Sequence, residues 1–305
     1  NANDEENIQT INLTDEEKAA GKYTLAGLQP TSTYTITIYK NDVKRGQLQI
    51  TTPAAMPAAN YKYSLSSDVT VISQTLIDEI AEQAKAAAGN ETNYSATIGI
   101  PAGAKVALYG TNDSDGGKTN VTIPDGMSVT FFGLAGGETP TITLDKNFDI
   151  AGSHAFIKFQ NVKLEENGAG YFINQSNACT VSEFTLENCE VSNIKTSFFR
   201  FQKSDAKSVG KLTLKNSIFT NLCAGYGFIN IDAGSGAGHL DNVEIDGCTF
   251  NSICVTGKVF IFSKKTDMQD ITIKNSTFYN CNGNGQFFVD FNADTFGPNT
   301  FTIEN

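Results

Sequence analysis

Arg200 is one of only two arginines in the chain, and it sits in the run Phe198-Phe-Arg200-Phe with Lys203 and Asp205 just beyond it. Asp232 follows at a distance that a repeating fold could close. A guanidinium beside a carboxylate can orient a hydroxyl-rich or anionic ligand, or it can be an ordinary surface ion pair. Similar runs recur as Phe172-Ile-Asn174-Gln, Phe228-Ile-Asn230-Ile, Val259-Phe-Ile261-Phe and Phe288-Val-Asp290-Phe. If Phe199/Phe201, Ile229/Ile231, Phe260/Phe262 and Val289/Phe291 face a core, strand alternation sends Phe172, Phe198, Phe228, Val259 and Phe288 outward. Asn174, Arg200, Asn230, Ile261 and Asp290 then lie two residues on. Aromatic rings beside amides and one guanidinium suit a sugar chain, with the rings on its apolar faces and the polar column taking its hydroxyls. The competing reading turns those Phe inward at a corner, as core.

Other reactive side chains are less promising. Glu244 and Asp246 are a candidate acid and base for glycoside hydrolysis, but Asp246 falls between Lys215 and Lys274 in the repeat, which keeps a carboxylate ionised. Cys189 and Cys248 fall two repeats apart, ~9.6 Å at strand spacing, too far to bond. Cys223 and Cys254 occupy equivalent places in adjacent repeats, where a disulfide is geometrically permitted and free buried thiols are the alternative. Six cysteines without a CxxC pair or a His at ligand spacing give no zinc site. His154 and His239 lie in Gly-rich stretches with no partner at informative spacing.

These residues must be positioned by a repeat. Aligned on their last residue, the segments Val129–Gly133, Ile157–Asn161, Phe184–Asn188, Leu212–Asn216, Val243–Gly247, Ile271–Asn275 and Phe301–Asn305 follow one another at 28, 27, 28, 31, 28 and 30 residues. A near-constant period with one such strand in each predicts a solenoid whose coils bury apolar faces against their neighbours. Each segment ends in Asn or Gly, the types that best adopt the left-handed bend of a corner, and stacked Asn can form an amide ladder. Three residues after each marker comes Leu164, Val191, Phe219, Phe250 or Phe278, an inward column. At least two strands per coil without helices specify an all-β fold: a parallel β-helix of single-stranded coils, right-handed by the rule for parallel crossovers. One amphipathic helix, about 73–88, with Leu76, Ile77, Ile80, Ala81 and Ala84 on one face, is placed to cap the first coil.

The first fifty residues alternate differently and predict antiparallel strands at Lys22–Leu28, Thr33–Lys40 and Gln47–Thr52. Leu28-Gln-Pro30-Thr-Ser32-Thr-Tyr34 resembles the tyrosine corner of fibronectin type III modules over about residues 8–52, about half of such a sandwich. The expected organisation is therefore a partial fibronectin III-like β-sandwich at 1–53, a stiff Pro/Ala linker at 54–60 and the β-helix at 61–305. The β-helix ends on a strand without a closing cap, which leads us to expect further residues downstream.

Residues 60–305 resemble the pectate-lyase-like superfamily of right-handed β-helices, with Ile98-Gly-Ile-Pro-Ala-Gly103 and Ile123–Gly133 similar to its early coils. The repeated coil behind a fibronectin-like module looks like uncharacterised secreted or lipid-anchored proteins of polysaccharide-degrading gut bacteria. That resemblance implies a polysaccharide partner and a secreted or outer-surface location, with any lipid anchor lying upstream. It also implies the alternative of a polysaccharide lyase or glycoside hydrolase, in which Arg200 is the base, Asp232 its partner, and calcium, if a lyase, is held by acidic side chains. Asp290 would be three coils from Arg200, ~14 Å, too far to share such an ion. A non-catalytic stalk or adhesin is a third possibility. Lys+Arg 22 against Asp+Glu 33 leaves a net charge of −11, which disfavours nucleic acid as a partner. No apolar stretch is long enough to span a bilayer.

Overall fold

A computed structural model describes residues 8–52, 54–112, 114–233, 237–264, 266–292 and 296–305. Residues 1–7 and 53 of the expected N-terminal module lie outside these. The chain divides into two units, 1–55 and 56–305.

The first unit holds one short helix, Asp15–Ala20, and an antiparallel pair of strands, Thr33–Lys40 and Val43–Thr51. The helix is set by a capping box: Thr14 Oγ1 accepts from the Glu17 N–H, and Glu17 reaches back to the Thr14 N–H. Residues 22–28, expected as a strand, do not form one. A strand needs a backbone partner, and none of the described residues of this unit offers one. The Tyr34 hydroxyl accepts from the Gln29 N–H at 2.8 Å, tying the loop before the hairpin back onto it.

The second unit is a parallel β-solenoid. Each coil contributes to three parallel sheets of nine, eight and seven strands. The long sheet carries the repeat segments, such as Cys179–Glu187, Lys207–Lys215, Gly238–Asp246 and Met268–Lys274, paired one coil to the next. After the marker corner the chain enters the second sheet (Lys163–Glu166, Glu190–Ser192, Ile218–Leu222, Thr249–Ile253) and then the third (Tyr171–Gln175, Ser197–Phe201, Ile229–Ile231, Ile261–Ser263).

The corners are formed by the side chains that the repeat led one to expect. Asn161, Asn188, Asn216, Gly247 and Asn275 all have φ between 48° and 65°. Gly133 does not. There the glycine answers to space, since a Cβ would lie 1.9 Å from the Asn161 carbonyl oxygen of the next coil. The amide ladder is broken into pairs: Asn188 donates to Asn161 at 3.2 Å, and Asn221 to Asn193 at 3.0 Å at the following corner. Asn275 instead donates to Asp246 at 2.9 Å.

The interior is aromatic. Phe219, Phe250 and Phe278 of the second sheet stack 4.7–4.9 Å apart. Phe198, Phe228, Phe260 and Phe288 form a parallel stack at 4.7 Å. The two stacks meet edge to face at 5.2–5.5 Å, the favourable geometry for ring quadrupoles. The coil spacing and the ring spacing are the same length, so every coil extends both rows without strain. The helix Gln74–Ala87, N-capped by Ser73, lays Ile77, Ile80, Ala81 and Ala84 on the first coils. No helix among the described residues is long and apolar enough to cross a membrane.

Candidate functional site

The outer face of the third sheet is where the expected site residues fall, and it differs from expectation in two respects. Phe172, Phe198 and Phe228 do not face outward: all three are fully buried in the aromatic rows. Each ring comes where the chain is still turning out of the corner, so period-two alternation has not begun, and Phe198 and Phe199 both point inward. Burying a ring of this size outweighs the alternation rule. No glycan can reach these rings.

A second correction follows in the next coil. Ile261 pairs with Ile229 and Phe262 with Asn230, one residue out of step with the expected alignment. Ile261 therefore faces the core, and Phe262 comes to the outer column. Leu222 and Ile253 are still in register, but Ile229 comes seven residues after Leu222 and Ile261 eight after Ile253, so one extra residue in the corner between the second and third sheets shifts the register.

The polar column stands as the alternation requires. Asn174 pairs with Arg200, Arg200 with Asn230, Asn230 with Phe262 and Phe262 with Asp290. The sheet thus brings Asn174, Arg200 and Asn230 side by side. Asp290 is left beyond Phe262, where its carboxylate accepts from the Asn292 N–H at 2.7 Å and serves its own turn.

Arg200 and Asp232 meet. Asp232 Oδ2 accepts from Arg200 Nη2 at 2.8 Å and from Nε at 3.3 Å, with the two side chains only 12% and 20% exposed. Nη1 donates to Gln202 Oε1 at 3.2 Å and to Asn174 Oδ1 at 3.5 Å. Gln202 in turn donates to Ser176 at 2.9 Å. The guanidinium lies 4.1 Å from the Tyr226 ring centre and 5.9 Å from that of Tyr171, a cation–π arrangement. Burial lowers the Arg200 pKa, but the hydrogen bonds and charge of Asp232, with the two tyrosines, outweigh it, and the net shift is upward. Arg200 is therefore a fixed positive group that directs hydrogen bonds and does not take up a proton.

Two buried atoms at this site have no hydrogen-bond partner among the described residues: Asn230 Nδ2, a donor, and Asp232 Oδ1, an acceptor. A hydroxyl group can serve both kinds. The sequence reading missed Tyr226 and Tyr171. Tyr226 stands in a corner loop outside every repeated column, so periodicity gave no sign of it, and only folding places its ring over Arg200. It is 39% exposed. No group of three or more His, Cys, Asp or Glu side chains is arranged to hold a metal ion among the described residues.

The carboxylates of the long sheet are absorbed by structure. Lys215 pairs with Glu187 at 3.4 Å, Lys274 with Glu304 at 3.1 Å, and Glu244 pairs with Lys211. His154 is buried between the Met127 and Ala151 carbonyls. No protein-family model matches the chain, and no curated protein compared with it is significantly similar.

Proposed function

We propose that the outer face of the third sheet, centred on Arg200 and Tyr226, binds a polysaccharide. The observation that carries this reading is the half-exposed Tyr226 ring beside a guanidinium and amides already held in place by Asp232, Gln202 and Asn174. A ring takes the apolar face of a sugar, and fixed donors and acceptors take its hydroxyls without first losing side-chain freedom. The charge around the site favours a neutral chain. Arg200 is matched by Asp232, and the same column carries Asp149 and Asp290, so a polyuronate would meet net negative charge.

The wider setting belongs to the same proposal: a pectate-lyase-like β-helix, secreted or held at a cell surface, behind a fibronectin III-like module. The tie between Tyr34 and the Gln29 backbone supports the module. A lyase would need a base, and Arg200 is held protonated, so binding is the stronger reading.

A glycan array followed by calorimetry on the best hit tests it. Tyr226→Ala should weaken binding by about 5–30-fold, the equivalent of about 1–2 kcal/mol. An array without hits, or an affinity that Tyr226→Ala and Asp232→Asn leave unchanged, would remove the proposal and leave the stalk.

A further inference from the structure

Cys223 and Cys254 sit at one corner in adjacent coils. Their preceding residues, Leu222 and Ile253, are register partners, and each cysteine N–H donates one coil back, Cys223 to Ile194 at 2.8 Å and Cys254 to Leu222 at 3.0 Å. Both side chains are fully buried and both thiols are free, with burial, and Cys254 close by, raising the Cys223 pKa. Both residues are in the left-handed region, with φ of 67° and 56°. That conformation is costly for a side chain with a Cβ, and Asn tolerates it best. The next coil does place Asn there: Asn282, with φ 52°, donates to Ile253 as Cys254 does to Leu222. Cysteine at two successive corners where the backbone favours Asn indicates that the sulfur has a use.

We propose that Cys223 and Cys254 form a disulfide between coils when the chain folds under oxidising conditions. Residues facing each other on neighbouring strands lie ~4.8 Å apart, inside the Cα range a disulfide spans. The oxidant is a small-molecule disulfide. One cysteine thiolate attacks it and releases the first thiol, and the second cysteine displaces the other half as a second thiol. The S–S bond forms, the two cysteines lose two electrons, and their protons leave on the two released thiols. Burial, with Cys254 beside it, holds the Cys223 thiol well above its usual range. The folded pair therefore carries little thiolate, and the bond closes before the corner packs. Cys189 and Cys248 differ, because the coil between them puts Ser217 at their position.

The test is to refold the reduced chain with oxidised glutathione, then unfold it in guanidinium chloride with iodoacetamide and no reductant. Of the six cysteines, the two bonded ones should escape, leaving four alkylated, and digestion should give a peptide joining residues 223 and 254. Cys189→Ser should leave that peptide in place. The bonded form should melt roughly 5–15 °C above Cys223→Ser. Alkylation of all six, or a peptide joining another pair such as 254 and 281, overturns the proposal.

Discussion

The two faces of one short strand, Ser197–Phe201, obey different rules. Its inner side is a stack in which Phe198 meets Phe172 and Phe228 at 5.3 and 4.7 Å, and its one buried hydroxyl, Ser197, donates to the Gly227 carbonyl. Its outer side carries one guanidinium, which is held by a carboxylate, two amides and two tyrosines. On the inner side each coil adds one apolar side chain to a column, Leu164, Val191, Phe219 and Phe250 in the second sheet, so the same role recurs from coil to coil. The outer side is built once: Arg200 is the one guanidinium in its column, between Asn174 and Asn230, and Tyr226 stands in a corner loop outside every column. Repetition therefore serves stability here, and the departure from repetition marks the site.

Substitutions on the two faces should separate cleanly. The largest effect is expected inside: Phe228→Ala opens a void between two stacked neighbours and should lower unfolding free energy by about 3–5 kcal/mol. Glycan affinity of the folded fraction should stay unchanged. Asp232→Ala should cost about 1–3 kcal/mol, because it strands a largely buried guanidinium, and should weaken binding as well; Asp232→Asn should recover part of the stability. Both are read by denaturant titration beside calorimetry. Tyr226→Ala should change stability by less than about 1 kcal/mol and yet reduce affinity. A Phe228 variant that lost affinity without losing stability would break the division between the faces.

The smallest effect is a pH dependence. Asp149 is half-buried on the outer column with one hydrogen bond, from Asn120 at 2.9 Å, and its partial burial raises its pKa despite that bond. The folded protein then holds the Asp149 proton more tightly than the unfolded chain does. This carboxyl accordingly favours folding at low pH, and the advantage is lost as pH rises from the unfolded carboxylate range through the raised folded value. Asp149→Asn should raise the denaturation midpoint at pH 7, with a gain that vanishes toward pH 3. An equal gain at both pH values would show that the charge is not the cause.

Much of the solenoid was legible because its physics is periodic. A marker every 27 to 31 residues, the Asn and Gly at corners and the inward Leu164, Val191 and Phe219 column all follow from stacking identical coils. The capping helix was legible from its apolar face and the Ser73 cap. Reading failed where local geometry overrode the period: at Phe172, Phe198 and Phe228, which leave a corner before alternation begins, and at Ile261, displaced by one residue. It failed also at residues 22–28, where alternation lacked a partner strand. At the site, Arg200 and Asp232 were read as a pair because one coil separates them. Tyr226 was not, because a ring in an irregular loop has no neighbour in sequence that announces it.

Hydroxyl-radical footprinting of the intact chain, with and without the best-binding neutral glycan, tests the division between the faces most directly. Protection should appear at Tyr226 and Tyr171, while the exposed Tyr279 and Phe287 keep their reactivity. Protection at those two residues with none at Tyr226 would contradict the account.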